Sequence, residues 1–137
     1  MIVLDSSFLI AFHNERDAHH ATARTLMESF LANKWGRGLL LEYVFLEVMT
    51  VLLLRRDLTT ATHVGAILLA AQEIEFIPCS DFFLETMEAF SRQARTRLSF
   101  TDVAVARIAR ERADGWVITF DEEFRKVSGL HVLPPVG

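Results

Sequence analysis

The sequence holds a single cysteine, Cys79, among 137 residues. One cysteine excludes an internal disulfide framework and any multi-cysteine zinc site, and it fits a reducing compartment. No linker, repeat or low-complexity segment interrupts the chain, and 51% of its residues are hydrophobic, which is too apolar for a disordered protein. We therefore expect one globular domain over residues 1–137, with enough core to fold alone.

The sequence also lacks a long hydrophobic run. Its most apolar stretch, residues 43–54, contains Glu47 and Thr50 and stops at Arg55 and Arg56, so it is too short and too interrupted to span a bilayer. Asp5 interrupts the N-terminal apolar run almost at once, which predicts that no signal peptide is present. We expect a cytoplasmic protein that does not associate with membranes.

The chain also has no overall excess of positive charge. The formal net charge is −4, which argues against a general nucleic-acid coating protein. The segment from Arg92 to Arg112 is locally different, since it holds six arginines against Asp102 and Glu111. This segment is either a solvated helical face or a contact for a phosphate backbone.

Short apolar runs alternate with helical patterns along the whole chain. The predicted strands are 2–5, 38–41, 74–79, 116–120 and 131–133, and the predicted helices are 19–33, 42–56, 57–72, 80–94 and 99–113. The expected helix caps are Ser6 or Ser7, then Thr59 and Thr60, then Ser80 with Asp81. Strands that are continuously apolar and separated by helices predict a parallel sheet covered on both faces, an α/β/α sandwich of about five strands.

Three aspartates are placed where such a sheet would bring them together. Asp5 ends the first predicted strand and Asp121 follows the fourth, so both belong at the carboxyl edge of the sheet, where ligands bind in these folds. Asp102 lies in the first turn of a predicted helix, and helix starts sit at the same edge. Each of the three is also explained by helix capping or a favourable dipole interaction, so only their coincidence indicates a site.

Glu47 is the fourth candidate. It lies in a helical stretch that is apolar almost all round, and a helix of that kind is usually buried. A buried glutamate needs a partner, yet no basic residue lies three or four positions away. The alternative is a narrow exposed stripe through Glu47, but Tyr43, Thr50 and Leu54 make a poor stripe, so a role in a site is favoured.

Four acids gathered at one edge would repel one another unless a cation lies between them. Carboxylates without histidine or cysteine suit Mg²⁺ or Mn²⁺, and the five histidines show no zinc-ligand spacing. We expect His19 and His20 to cap or start a surface helix. Carboxylate-bound Mg²⁺ usually serves phosphate chemistry, of which phosphodiester hydrolysis is the simplest case.

These residues match a known family. The segments VLDSSFLIA, LSFTDVAVARIA and WVITFDEEF, with a glutamate in a mid-chain helix between the first two, resemble a PIN domain over nearly the whole chain, and among PIN domains the VapC-type toxins of toxin–antitoxin pairs. The resemblance implies a three-layer α/β/α domain that cleaves RNA with Mg²⁺ or Mn²⁺. It also implies a small antitoxin as partner and a homodimer.

The resemblance also implies roles for individual residues. Asp5 and Asp102 would be the principal metal ligands, Glu47 and Asp121 would complete the acidic cluster directly or through water, and Thr119 would be the family's hydroxyl residue. Glu123 stands where a further acid is often found, whereas Phe120 replaces a common asparagine. The candidate phosphate-binding residues are Arg92, Arg95 and Arg97.

Three alternative hypotheses compete with this one. A phosphoaspartyl phosphatase needs a second aspartate at position 7, which is Ser7 here, and a response-regulator receiver needs adjacent acids after the first strand. The remaining alternative is a PIN-like domain that serves as a catalytically silent binding or regulatory module. Binding of a divalent metal would separate it from the nuclease.

Overall fold

The computed structural model describes residues 1–136, so Gly137, the last residue of the predicted domain, lies outside the described residues. Within that range the strands are β1 (Ile2–Leu4), β2 (Gly38–Leu41), β3 (Ile74–Ile77), β4 (Trp116–Ile118) and β5 (His131–Leu133). The helices are α1 (Ser6–His13), α2 (His20–Leu31), α3 (Glu42–Arg55), α4 (Leu58–Ala70), α5 (Phe83–Ser91) and α6 (Phe100–Arg112), with 3₁₀ turns at Ser80–Phe82 and Glu122–Lys126.

The five strands form one sheet in the order β3-β2-β1-β4-β5, and every pair is parallel. The chain runs outward from β1 through β2 to β3, then returns to add β4 and β5 on the other side. With right-handed crossovers, this reversal puts the helices of the two halves on opposite faces. The predicted α/β/α sandwich with a parallel five-stranded sheet is confirmed.

The reversal of strand order determines where a crevice can open at the edge of the sheet. The reversal lies between β1 and β4, which are paired through Val3 with Val117 and Leu4 with Ile118. All four of these side chains are fully buried, because helices cover both faces of the sheet. A crevice opens outside the carboxyl ends of strands at such a point, and here the next residues of the chain are Asp5 and Thr119.

The predicted helix caps are wrong at three places. Asp57, not Thr59 or Thr60, caps α4, since its Oδ1 accepts the Thr60 N–H at 2.6 Å. Asp5 occupies the N-cap position of α1 without a side-chain capping bond, so neither Ser6 nor Ser7 caps that helix.

The third of these caps was expected at Ser80 and Asp81. These two residues form a 3₁₀ turn with Phe82, and α5 begins only at Phe83, without a side-chain cap. Tighter i→i+3 hydrogen bonding replaces the cap, since the Phe83 N–H donates to the Ser80 carbonyl.

The other predicted ends hold to within a few residues. His19 is the N-cap residue of α2, as expected. Gly115 follows the end of α6, as expected. Its φ is 86°, and its N–H donates to the Ala109 carbonyl at 2.8 Å. No helix in residues 1–136 has the length and apolar character needed to cross a membrane.

Candidate active site

A cavity of about 370 Å³ opens at the carboxyl edge of the sheet. It is lined by acidic residues from separate parts of the chain: Asp5, Asp17, Glu47, Asp102 and Asp121. The remaining lining residues are Ser6, Ser7, Ile10, His19, Val51, Arg55 and Ser99. The structure thus brings the four carboxylates singled out in the sequence to one cavity, and it adds a fifth, Asp17.

Asp5 lies at the floor of the cavity and is only 2% exposed. Its Oδ2 accepts the Thr119 hydroxyl at 2.6 Å and the Ser7 hydroxyl at 3.3 Å. Its Oδ1 is buried and has no hydrogen-bond partner among the described residues. Burial raises the pKa of Asp5 to about 6, against the lowering effect of the Thr119 bond, and the charge of Glu47 raises it further.

Asp102 enters the cavity from the first turn of α6. Its N–H donates to the Ser99 hydroxyl at 3.1 Å, so Ser99 caps the helix and fixes this turn. Burial raises the pKa of Asp102 to about 7, and the charges of Asp5 and Asp121 add to this effect. Both pKa values are raised mainly because burial desolvates the carboxylates, and the neighbouring negative charges add to this effect.

Thr119 follows β4 directly and forms a hydrogen bond with Asp5, which follows β1. It is fully buried, donates to Asp5, and accepts the Asp121 N–H at 3.0 Å. The Ser7 hydroxyl lies 3.1 Å from the Thr119 hydroxyl and accepts the Phe120 N–H at 2.9 Å. One buried hydroxyl therefore sets the positions of two of the acids.

Asp121 begins the 3₁₀ turn that follows β4. Its Oδ1 accepts the Glu123 N–H at 3.0 Å, so one carboxylate oxygen caps the turn. Glu123 itself pairs with Lys126 at 2.6 Å and is not among the residues that line the cavity. The geometry joins Asp121 to the cluster and leaves Glu123 outside it.

The prediction that Glu47 lies in a buried helix is wrong. The helix around it is not buried all round, because Glu47 is exposed, as are Leu46 at 57% and Leu54 at 78%. The alternative of an exposed stripe is correct at Thr50 and Leu54, whereas Tyr43 is half-buried. Glu47 still faces the acid-lined cavity together with Val51 and Arg55, which follow it at four-residue steps on one helical face.

The three arginines expected to bind phosphate lie elsewhere. Arg92 and Arg95 line a separate cavity with Arg110 and Lys126, and Arg92 is paired with Glu88 at 2.6 Å. The Arg97 backbone N–H donates to Glu123, and Arg97 lines neither cavity. The arginine that does line the acid cavity is Arg55.

Several residues of the cavity had no signal in the sequence. In the sequence, Arg55 only marks the end of an apolar stretch, His19 is expected only to cap or start a helix, and nothing singles out Asp17. All three reach the cavity through the packing of α1 against α2 and α3. That packing is tertiary and is not encoded by local spacing.

The donor set of the cavity suits a hard divalent cation. Its potential ligands are five carboxylates, three serine hydroxyls and one imidazole, that of His19, with no cysteine, and the buried, unpartnered Asp5 Oδ1 is an acceptor that a cation would satisfy. Within residues 1–136, however, no three His, Cys, Asp or Glu side chains already form a compact set of metal ligands. The residues fit the ion by chemistry, and water would complete the coordination.

The sequence matches the family model of the PIN domain over residues 2–130. The fold is similar to the crystal structure of Mycobacterium tuberculosis VapC20, described as a toxin that cleaves the sarcin–ricin loop, with a TM-score of 0.83 and 24% identity over 95% of this chain and 97% of that chain. A search of curated proteins gave no significant match. The resemblance seen in the sequence is thereby confirmed: the chain belongs to the PIN domain family.

Proposed function

We propose that the chain is a divalent-metal-dependent endoribonuclease that hydrolyses RNA phosphodiester bonds and acts as the toxin of a VapBC-type toxin–antitoxin pair. The observation that carries the proposal is the cavity at the β1/β4 edge, which Asp5, Glu47, Asp102 and Asp121 line and where a buried carboxylate oxygen has no partner among residues 1–136. The family and the VapC20-like fold support the same reaction.

The metal ligands in this proposal are the four acids. Asp5 and Asp102 hold the ion, either Mg²⁺ or Mn²⁺, and Glu47 and Asp121 complete the site directly or through water. When bound, such an ion acts as a Lewis acid and lowers the pKa of a coordinated water. The pKa values of Asp5 and Asp102 are raised because ionisation of these carboxyl groups is unfavourable when no cation is bound.

Thr119 is a positioning residue in this scheme. Its hydroxyl holds the Asp5 Oδ2, which leaves Oδ1 as the free acceptor, and its oxygen holds the backbone of Asp121. A ligand fixed by a second hydrogen bond loses less entropy on binding a metal and keeps its orientation.

Arg55 is the group that we expect to hold the RNA phosphate. It is exposed, lines the acid cavity, and forms no ion pair among the described residues, although carboxylates line the same cavity. A guanidinium there offers a phosphate bidentate hydrogen bonds. It would also offset part of the negative charge that otherwise repels the substrate.

Arg55→Ala is expected to raise the KM for RNA roughly 10-fold or more, because a hydrogen bond to a charged group is worth about 1.5–3 kcal/mol. Arg95→Ala, at an arginine of the separate cavity, is the matched control and should change KM less than about 3-fold. Steady-state cleavage of a labelled RNA at constant ionic strength measures both. A larger effect at Arg95 would favour Arg92, Arg95 and Arg97 over Arg55 as the residues that bind phosphate.

The partners in the proposal are an RNA substrate, a small antitoxin and a second copy of the chain. Exposed apolar residues support a protein partner, since α3, α4 and α5 present Leu53, Leu54, Leu58, Phe83, Leu84 and Met87 at 45% exposure or more. A cytoplasmic location follows from the same proposal.

The experiment that tests the function is cleavage of a mixed RNA panel by folded, antitoxin-free protein in EDTA, Mg²⁺ or Mn²⁺. We expect the RNA to be cleaved with either metal and not in EDTA. If the folded protein cuts no RNA on the panel with either metal, the endoribonuclease assignment is contradicted.

A further inference from the structure

We propose that His19, stacked on Phe120, is a platform for one nucleobase of the RNA beside the acid cavity. This inference rests on the proposed ribonuclease function and adds to it the residue that contacts a base. The two rings are stacked in parallel, with centroids 4.4 Å apart and an interplanar angle of 6°. His19 lines the acid cavity and is exposed, whereas Phe120 is half-buried.

The His19 side chain is not used by the fold. It occupies the N-cap position of α2 but makes no capping bond, and its ring nitrogens have no hydrogen bond in the part of the chain that the structure describes. Phe120 stacks on one face of the ring, and His19 as a whole is exposed. Flat, exposed aromatic faces beside a nucleic-acid site are where single-stranded bases stack.

The platform is also fixed relative to the acids. The His19 N–H donates to Asp17 Oδ1 at 2.8 Å, which holds the loop before α2. On the other side, the Phe120 N–H donates to the Ser7 hydroxyl at 2.9 Å, and Ser7 contacts Asp5 and Thr119. A base stacked on His19 would therefore stand in a defined register with the phosphodiester bond at the carboxylates.

Different residues of the cavity would contact different parts of a nucleotide. The carboxylates, through the metal, and Arg55 would bind the phosphate, which is the same in every nucleotide, while the ring of His19 would contact a base. Stacking accepts any base, with a preference for large ones, because every base has a π face. The platform should thus contribute affinity and register more than strict sequence choice.

The test uses an RNA that the wild-type protein cleaves and compares His19→Ala, His19→Phe and His19→Gln. His19→Ala is expected to lower kcat/KM about 10-fold, mainly through KM, because stacking of one base is worth about 1–3 kcal/mol. His19→Phe, which keeps a ring, should recover activity to within about 3-fold, and His19→Gln, which keeps only hydrogen bonding, should not.

The chain supplies a matched control in His131, which is exposed, stacks on Trp116 at 4.9 Å and lies on β5 away from the cavity lining. His131→Ala should leave kcat/KM unchanged. Substrates with an abasic nucleotide at each position near the cut give a second readout: one position should lose activity with the wild type and no further activity with His19→Ala.

Two results would overturn the inference while the ribonuclease function stands. One is wild-type kinetics for His19→Ala, and the other is rescue by His19→Gln but not by His19→Phe, which would indicate hydrogen bonding or proton transfer. If the wild-type protein cleaves no RNA, the proposed function fails and the base platform fails with it.

Discussion

Asp5→Asn is expected to abolish metal-dependent RNA cleavage and, in the same protein, to stabilise the metal-free fold at pH 7.5. The loss of activity should be about 1,000-fold or more, because stabilisation by a bound cation is worth several kcal/mol and each 1.4 kcal/mol is tenfold in rate. The gain in stability comes from removal of a charge that is buried at 2% exposure with an unpartnered oxygen among the described residues.

The gain should depend on pH in a defined direction. Burial raises the pKa of Asp5 from 3.8 to about 6, so the folded state binds its proton more tightly than the unfolded chain. Stability from this group is fully present below about pH 4 and is lost as the pH rises through 6. The advantage of Asp5→Asn in EDTA should be about 1 kcal/mol at pH 4.5 and about 3 kcal/mol at pH 7.5.

Urea unfolding in EDTA at both pH values measures this difference. Asp81→Asn, at an exposed acid outside the cavity, is the control and should change the free energy of unfolding by less than about 0.5 kcal/mol. Full activity of Asp5→Asn would contradict the metal-ligand role. Equal stability of the variant and the wild type at pH 7.5 would contradict the claim that Asp5 carries an uncompensated charge.

Thr119→Val should destabilise the protein by about 1–3 kcal/mol and lower cleavage about 10–100-fold. The change keeps the volume of the fully buried side chain but removes its hydroxyl. Asp5 then loses its 2.6 Å donor and the Asp121 N–H loses its acceptor. Because the Thr119 bond lowers the pKa of Asp5, the variant should also need more metal for half-maximal activity.

Two further variants separate positioning from general damage. Thr119→Ser keeps the hydroxyl and should retain most of the activity. Thr86→Val removes a different fully buried hydroxyl, one that donates to the Phe82 carbonyl at 2.8 Å, and should cost stability without changing the metal dependence of cleavage. Wild-type cleavage by Thr119→Val, or failure of Thr119→Ser to restore it, would remove Thr119 from the site.

The sequence predicts the edge of this site well because strand ends are a local signal. Asp5 and Asp121 each follow an apolar run, and in a parallel sheet all such ends meet on one side. The adjacency of β1 and β4 brings the two acids together. Their spacing along the chain alone does not require that adjacency.

The sequence predicts side-chain burial on α3 poorly for a physical reason. Leu46, Leu53 and Leu54 look like core residues, yet they are 57%, 45% and 78% exposed, so composition overstates how much of the helix is covered. Glu47 therefore reaches the cavity from an exposed face, not from a buried one. The cap of α4 is misplaced for a simpler reason, since Asp57 stands two residues before Thr59, and Thr59 and Thr60 also have capping propensity.

The groups that complete the cavity depend on tertiary packing. Arg55 lies eight residues after Glu47 on α3, His19 precedes α2, and neither is close in sequence to Asp5 or Asp102. Charge clustering along the chain pointed instead to Arg92, Arg95 and Arg97. Local charge density does not indicate which arginine faces a cavity formed by four separate elements.

The most direct measurement of the central claim is a calorimetric titration of Mn²⁺ into the wild-type protein and into Asp5→Asn at pH 7.5, with folding of both checked by circular dichroism. We predict saturable binding to the wild type and a loss of at least about 10-fold in affinity in the variant. Absence of Mn²⁺ binding by folded wild-type protein, or equal binding by the two proteins, would contradict the assignment of this cavity as a metal site.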